Sequence, residues 1–307
     1  MQVRKNVRSD LPTEVIAWLN NRTLLGSTNF VTLWETLGGK SVYWACYDGN
    51  RCVGLLPSVQ FGRGRLARLQ AMPDGLYARV HFIEAECDRQ QIIRLILAAI
   101  TEAGYARVHV NDYYRQFEDH TGFGAQEGRT SLVKVDMDEW RPPDKKLQSE
   151  IRKAQREEVV AREFALETDF HRFVDLMRQT EKRHGRAPKY PPEFFHALAR
   201  LATQDGRVRW LVCDCDGQLA AAHIYLVEDD QLLHWQAFFD REYSRLKPNQ
   251  AIMFAVVREM TSRGIRVLNL GATPENAATL SDYKEKWGGE TYCYPCLVRK
   301  SWLGRLL

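Results

Sequence analysis

Residues 268–290 read LNLGATPENAATLSDYKEKWGGE, and this stretch determines how the rest of the chain is interpreted. A short apolar strand, Arg266–Leu270, ends at Gly271 and a Thr-Pro turn. A polar stretch and an amphipathic segment follow, in which Lys284 stands close to aromatic residues and ahead of two glycines. Glycine and proline mark turns, so this pattern predicts that the segment brings Lys284 back to the end of the strand.

The same order of segments occurs twice along the chain. In each half, strands joined by an Asp-Gly turn are followed by a helix, a glycine and a further strand. The matching segments are Gln90–Ala103 with Asn249–Arg263, Arg107–Val110 with Arg266–Leu270, and, as the last strand of each half, Ser131–Val135 with Tyr292–Val298. We therefore predict an α+β protein with two like domains, residues 1–140 and 141–307, each a twisted mixed sheet flanked by helices.

Composition limits the classes of protein to which the chain can belong. It is 45% hydrophobic and 27% charged, which is typical of a folded protein with a core. Its net charge of +4 permits a phosphate-bearing partner but does not by itself indicate nucleic acid. The longest apolar run is interrupted by Arg94 and is far shorter than the ~20 residues of a membrane span. No apolar region follows the basic N-terminus, so we expect a cytoplasmic protein without membrane insertion.

The seven cysteines include two closely spaced pairs, Cys213-x-Cys215 and Cys293-x-x-Cys296. Four thiolates are a ligand set that zinc accepts. Cysteines within an apolar strand more often belong to the core, where a free thiol packs well. We therefore expect thiols rather than disulfides, and no metal site. As a separate expectation, no cofactor is tightly bound.

Several stretches resemble one family. Residues 149–160, SEIRKAQREEVV, resemble the segment that opens the second domain of the Fem-type aminoacyl transferases. Residues 180–198 resemble the helix pair that follows it, and residues 265–289 resemble the Fem-type ending. The segment TNFVTLWETL, residues 28–37, looks like the family's N-terminal aromatic helix. The resemblance implies tandem domains of the GNAT (acyl-CoA N-acyltransferase) fold, with the transfer site in the second.

The resemblance also implies an activity: a transferase that joins an activated acyl or aminoacyl group to an amine acceptor through an amide bond. The implied donor is aminoacyl-tRNA, and the implied acceptor is a peptidoglycan precursor or a small molecule, which would connect the protein with cell wall biogenesis. An alternative is an acyl-CoA-dependent N-acyltransferase acting on an amino sugar or a polysaccharide precursor. A third alternative, from another class, is a non-catalytic protein that keeps the GNAT shell for binding.

Lys284 is the predicted catalytic residue. It matches the family lysine that is proposed to stabilise negative charge on the carbonyl oxygen of the donor, and a cation placed there can supply several kcal/mol. The alternative interpretation is a solvated lysine on a helix face, paired with Glu285 or Asp282.

Other residues are predicted to bind the donor or substrate. Pro248 begins a helix whose free N–H groups and neighbouring basic side chains could hold an anion, although an ordinary capped helix explains the same pattern. The basic residues of the IRKA segment match residues that family members use against phosphates, although a solvated helix face is the alternative. His234 is interpreted as a packed histidine rather than a general base. The predicted binding residues are Arg152, Lys153, Arg245, Lys247, Asn249, Gly271, Tyr283 and Trp287.

Overall fold

The computed structural model describes residues 1–117, 122–135, 140–273, 277–302 and 304. The helices are α1 (Thr13–Arg22), α2 (Thr28–Val31), α3 (Arg89–Glu102), α4 (Lys145–Arg156), α5 (Leu166–Arg183), α6 (Pro192–Gln204), α7 (Pro248–Thr261) and α8 (Ala278–Lys286). The strands are β1 (Gln2–Asn6), β2 (Gly39–Asp48), β3 (Arg51–Phe61), β4 (Arg68–Ala71), β5 (His81–Phe82), β6 (Arg107–Asn111), β7 (Gly124–Lys134), β8 (Ala161–Glu163), β9 (Val208–Cys215), β10 (Gln218–Glu228), β11 (Gln231–Phe239), β12 (Val267–Ala272) and β13 (Glu290–Lys300).

The chain forms two compact units. Unit 1 comprises Met1–Gly128 and Cys293–Leu307, and unit 2 comprises Arg129–Tyr292. In unit 1 the strand order is β1-β2-β3-β4-β6-β13, with β4 and β6 parallel and β6 and β13 antiparallel. Helix α3 packs on β2 through a buried stripe at helical spacing that includes Ile92, Ile96 and Ile100.

Unit 2 has the strand order β7-β12-β11-β10-β9-β8, in which β9, β10 and β11 form an antiparallel meander. Its helices cover both faces of the sheet. Trp210 and Leu211 are neighbours on β9 and therefore point to opposite faces. Trp210 contacts Phe173 of α5 and Phe195 of α6, whereas Leu211 belongs to the core that contains Met253 of α7. Helix α4 packs beside α7.

The α+β class and the repeated strand order are confirmed. Strand β6 lies between the parallel β4 and the antiparallel β13, and β12 lies between the parallel β11 and the antiparallel β7. The two strands that the sequence matched therefore have equivalent neighbours in their sheets.

One strand of each unit comes from the other half of the sequence: β7 precedes residue 140 but pairs in unit 2, and β13 follows residue 141 but pairs in unit 1. Residues 130–134 of β7 pair with β12, and residues 296–300 of β13 pair with β6. The two contact units therefore do not coincide with the predicted domains 1–140 and 141–307. Hydrophobic alternation predicts that a segment is a strand, but it carries no information about which strand will be its partner.

All seven cysteines are free thiols. Cys213 and Cys215 lie in the core of unit 2, where burial raises the pKa of both thiols. Cys293 and Cys296 are half-buried residues of β13. In the described part of the chain, no group of His, Cys, Asp and Glu side chains could hold a metal ion. No helix among the same residues has both the length and the apolar character that a membrane crossing requires.

Candidate active site

Lys284 lies in α8 with its side chain turned into unit 2, and only 3% of the residue is exposed. Its ammonium donates hydrogen bonds to the carbonyl oxygens of Gly271, at 2.6 Å, and Ala272, at 2.9 Å. Both acceptors belong to the end of β12. The interpretation of Lys284 as a solvated lysine paired with Glu285 or Asp282 is therefore wrong.

The end of β12 is held by a buried hydrogen-bond network. Gly271 has a φ of +74°, a conformation that glycine adopts without strain. Its N–H donates to the side-chain oxygen of Asn269 at 2.9 Å, and the hydroxyl of Thr130 donates to the same oxygen at 2.6 Å. The Asn269 amide nitrogen donates to the Gln231 side chain at 2.6 Å. This network fixes the backbone whose carbonyl groups bind Lys284.

The sheet opens at the same place. Strands β11 and β12 pair only as far as Leu233 and Asn269, although both strands continue beyond these residues. An ammonium has three N–H donors, and two of those of Lys284 reach the β12 carbonyl groups. The third has no recorded partner among the described residues. Pro274, from the predicted Thr-Pro turn, lies outside the described residues.

The charge of Lys284 is sensitive to its surroundings. Burial lowers the pKa of Lys284 from its ordinary 10.5 to about 8. Removal from water disfavours the charged form of a lysine, and the two carbonyl oxygens counter that effect by accepting its hydrogen bonds. The side chain is therefore still a cation at neutral pH.

Two histidines and a tyrosine, the histidine cluster, pack beside this strand end. His223 lies 3.0 Å from the Tyr225 hydroxyl through Nδ1 and 2.9 Å from Asn249 Oδ1 through Nε2. His234 stacks on both His223 and Tyr225, with ring centroids 4.8 Å apart in each pair. Burial lowers the pKa of His223 to about 4 and that of His234 well below its ordinary value, with a further contribution from the charge of Lys284. Both imidazoles are neutral at pH 7.

Most side chains of the predicted anion site at the start of α7 make contacts within the protein. The helix begins at Pro248, as predicted. Lys247 forms an ion pair with Glu150 at 2.9 Å, and Asn249 is bonded to the histidine cluster. Arg245 is exposed and makes no hydrogen bond or ion pair with any described residue. The side chains of Lys247 and Asn249 thus hold the helix in place, and of these three side chains only that of Arg245 makes no hydrogen bond or ion pair with the described residues.

Comparison with known proteins identifies the domain that contains this arrangement. Residues 144–285 match the family model described as an acetyltransferase (GNAT) domain. This part of the chain has the GNAT fold. No curated protein sequence matches the chain.

Three solved structures share the fold of the whole chain. FemX, at 11% identity, gives a TM-score of 0.70 over 95% of this chain and 96% of its own. L-PGS from Bacillus licheniformis, at 12% identity, gives a TM-score of 0.64 over 95% of this chain and 92% of its own. A tandem GNAT protein from the clavulanic acid biosynthesis pathway, at 11% identity, gives a TM-score of 0.52 over 97% of this chain and 98% of its own. The predicted tandem GNAT fold and the Fem-type resemblance are thus confirmed at the level of fold.

Trp287, predicted to bind the donor, belongs instead to the core of unit 2. It has 0% exposure, stacks on Trp140 with ring centroids 6.1 Å apart, and meets the ring of Tyr283 edge-on at 6.3 Å. A fully covered indole packs and cannot contact a ligand in this structure. Tyr283 is partly buried, and burial raises the pKa of its hydroxyl.

A cavity of about 340 Å³ lies between α4 and α7 of the GNAT domain. Arg152, predicted to contact phosphate, lines it, whereas its neighbour Lys153 does not. The side chains that determine its chemistry are Trp140, Arg141, Arg152, Gln155, Phe254 and Arg258. The sequence motifs had indicated only Arg152 among these.

Proposed function

We propose that the chain catalyses amide-bond formation between an activated acyl or aminoacyl donor and an amine acceptor, with Lys284 as the catalytic cation. The observation that carries the proposal is the buried ammonium of Lys284, held by two carbonyl groups where β11 and β12 separate. A lysine with a purely structural role would gain little from a position that lowers its pKa to about 8. A lysine that acts on a substrate oxygen benefits, because electrostatic interactions strengthen when water is excluded.

The chemistry follows from that position. The acceptor nitrogen attacks the carbonyl carbon of the donor, and the electron pair of the C=O bond moves to the oxygen. The free N–H of Lys284 donates a hydrogen bond to this oxyanion, and collapse of the intermediate expels the alcohol of an ester or the thiol of a thioester. The proton lost by the nitrogen passes to the leaving group or to water. One well-placed donor contributes ~3 kcal/mol to such a step.

Two donors are candidates for different reasons. Aminoacyl-tRNA is favoured by the Fem-type resemblance and by the FemX-like fold of the whole chain. Its acceptor would be the amine of a cell-wall precursor or of a small molecule. Acyl-coenzyme A is favoured by the match of residues 144–285 to an acetyltransferase domain, with an amino sugar or polysaccharide precursor as the acceptor.

The donor can be identified by its effect on stability. A ligand that binds only the folded chain raises the melting temperature, and the shift grows with the logarithm of the ratio of its concentration to its dissociation constant. We expect either a charged tRNA or acetyl-coenzyme A to raise it, and the same donor to give an amide product with a model amine. Uncharged tRNA and free coenzyme A are the controls. If neither donor stabilises the chain or yields an amide, the protein is a non-catalytic GNAT shell and the proposal fails.

The rate of transfer is expected to fall as the pH rises through about 8. Burial lowers the pKa of Lys284, so its amine is fully protonated well below that pH and becomes neutral above it. The measurement is the rate of transfer from about pH 6 to about pH 10, with an acceptor whose own amine pKa lies well below that of Lys284. Lys284→Arg, which stays charged, should show a low rate without this fall. A rate that rises through the same interval would mean that neutral Lys284 acts as a base.

A further inference from the structure

The cavity between α4 and α7 combines flat rings with positive charge. Trp140 and Phe254 form part of its wall, and Ile151 and Pro142 add apolar residues. Arg152 and Arg258 belong to the same lining. None of the described residues that line it is acidic. A ligand that fits this lining is an anion that also carries a flat ring.

Both arginines are exposed, and no ion pair within the described residues engages their charge. Among the described residues, neither Arg152 nor Arg258 forms an ion pair, and the only recorded partner of the Arg258 guanidinium is the ring of Phe254, 5.8 Å from its central carbon. Other arginines of the same unit are paired: Arg162 with Asp169 at 2.5 Å, and Arg172 with Asp214. The guanidinium groups of Arg152 and Arg258 can therefore meet an anionic ligand without breaking an ion pair among the described residues.

We propose that this cavity binds a nucleoside phosphate, with Arg152 and Arg258 on the phosphate and the rings of Trp140 and Phe254 against the base. A planar guanidinium donates two parallel hydrogen bonds to phosphate oxygens, and aromatic side chains stack on nucleobases. The volume of about 340 Å³ falls within the range of small-ligand sites. Binding there requires no transfer, so the inference goes beyond the proposed function.

The cavity is joined mechanically to the helix that carries Lys284. Trp140 in its wall stacks on Trp287, one helical turn beyond Lys284. Just after that helix, Gly288 has a φ of +87°, and a Cβ on it would lie 3.2 Å from Pro143. A nucleoside phosphate in the cavity would therefore contact the segment that positions α8. The nucleotide part of a donor or of a nucleotide-linked acceptor is a chemical source of such a ligand.

The test is calorimetric titration of the full chain with adenosine 3′,5′-bisphosphate, uridine diphosphate, inorganic pyrophosphate and adenosine. At least one of the two nucleotides should bind, and more tightly than pyrophosphate or adenosine. Arg152→Gln and Arg258→Gln should each weaken that binding about tenfold to a hundredfold, the usual effect of losing a charged hydrogen bond. Arg156→Gln, at an exposed arginine of α4 outside the cavity, is the matched control and should bind normally. Tighter binding of the adenine compound would indicate that the cavity holds the nucleotide part of the donor. Tighter binding of the uracil compound would indicate that it holds a nucleotide-linked acceptor.

Three results would overturn the inference: no nucleotide binding at millimolar concentration, equal affinity in both arginine variants and the wild type, or pyrophosphate binding as tightly as the nucleotides. A Lys284→Met variant separates this inference from the proposed function. It should bind the nucleotide normally while losing transfer. Absence of nucleotide binding in a wild-type chain that still needs Lys284 for transfer would remove the inference and leave the proposed function standing.

Discussion

Replacement of Lys284 by methionine is expected to lower the rate of amide formation about a hundredfold while the chain stays folded. The Lys284 ammonium donates hydrogen bonds to two carbonyl groups at the end of β12, and its third N–H has no recorded partner among the described residues. Its loss removes ~3 kcal/mol from the stabilisation of the oxyanion. Methionine fills most of the space, and removal of a buried charge offsets the loss of two hydrogen bonds. Turnover and a melting curve, measured for each variant, check this prediction.

Lys286→Met is the matched control for this experiment. Lys286 lies two residues further along the same helix, is exposed and makes no recorded contact with a described residue, so its replacement should leave turnover unchanged. Lys284→Arg should recover little activity, because a planar guanidinium cannot occupy the position of the compact ammonium between two carbonyl oxygens. Wild-type turnover by Lys284→Met, or a loss that only follows early melting, would make Lys284 a structural residue.

Replacement of Trp287 by alanine is expected to lower the free energy of unfolding by about 3 to 5 kcal/mol. Trp287 is fully buried and stacks on Trp140, so its removal leaves a large cavity in the core of unit 2. Chemical denaturation followed by circular dichroism measures the effect. Trp302→Ala is the control, since Trp302 is 70% exposed and its loss should change the free energy of unfolding very little.

The two interpretations of Trp287 give opposite results. If Trp287 is a packing residue, as its burial indicates, its replacement lowers the stability of the fold. Donor binding then decreases only because less of the protein is folded. A donor-binding residue, as the sequence motif had suggested, affects donor affinity at unchanged stability. Normal unfolding of Trp287→Ala together with a large loss of donor affinity would restore the earlier interpretation.

Most elements of the fold follow from local patterns in the sequence. The helix over Arg89–Glu102 repeats apolar residues at helical spacing after the capping residue Asp88, and glycines end this helix and α7. The exchange of β7 and β13 between the two halves could not be predicted in this way. Both strands alternate as expected, and their partners are chosen by long-range packing that leaves no local pattern.

The candidate site was predictable only in part. The Fem-type resemblance singled out Lys284, but α8 reads as a largely polar helix, so nothing local indicated that its lysine would be buried. The alternation of His223 and Tyr225 along β10 places both on one face, a signal from which the histidine cluster could have been found. The cavity brings together side chains from α4, from α7 and from the segment at Trp140, which only the tertiary structure juxtaposes.

The most direct test of the central claim, that Lys284 stabilises the oxyanion, is single-turnover transfer at saturating donor and acceptor, with Lys284→Met measured beside the wild type. Saturation removes differences in binding, so the rate constant reports the chemical step alone. We expect a rate constant about a hundredfold lower than that of the wild type, with donor affinity within about twofold of the wild-type value. An unchanged rate constant, with all of the loss in donor affinity, would contradict it and make Lys284 a residue for binding alone.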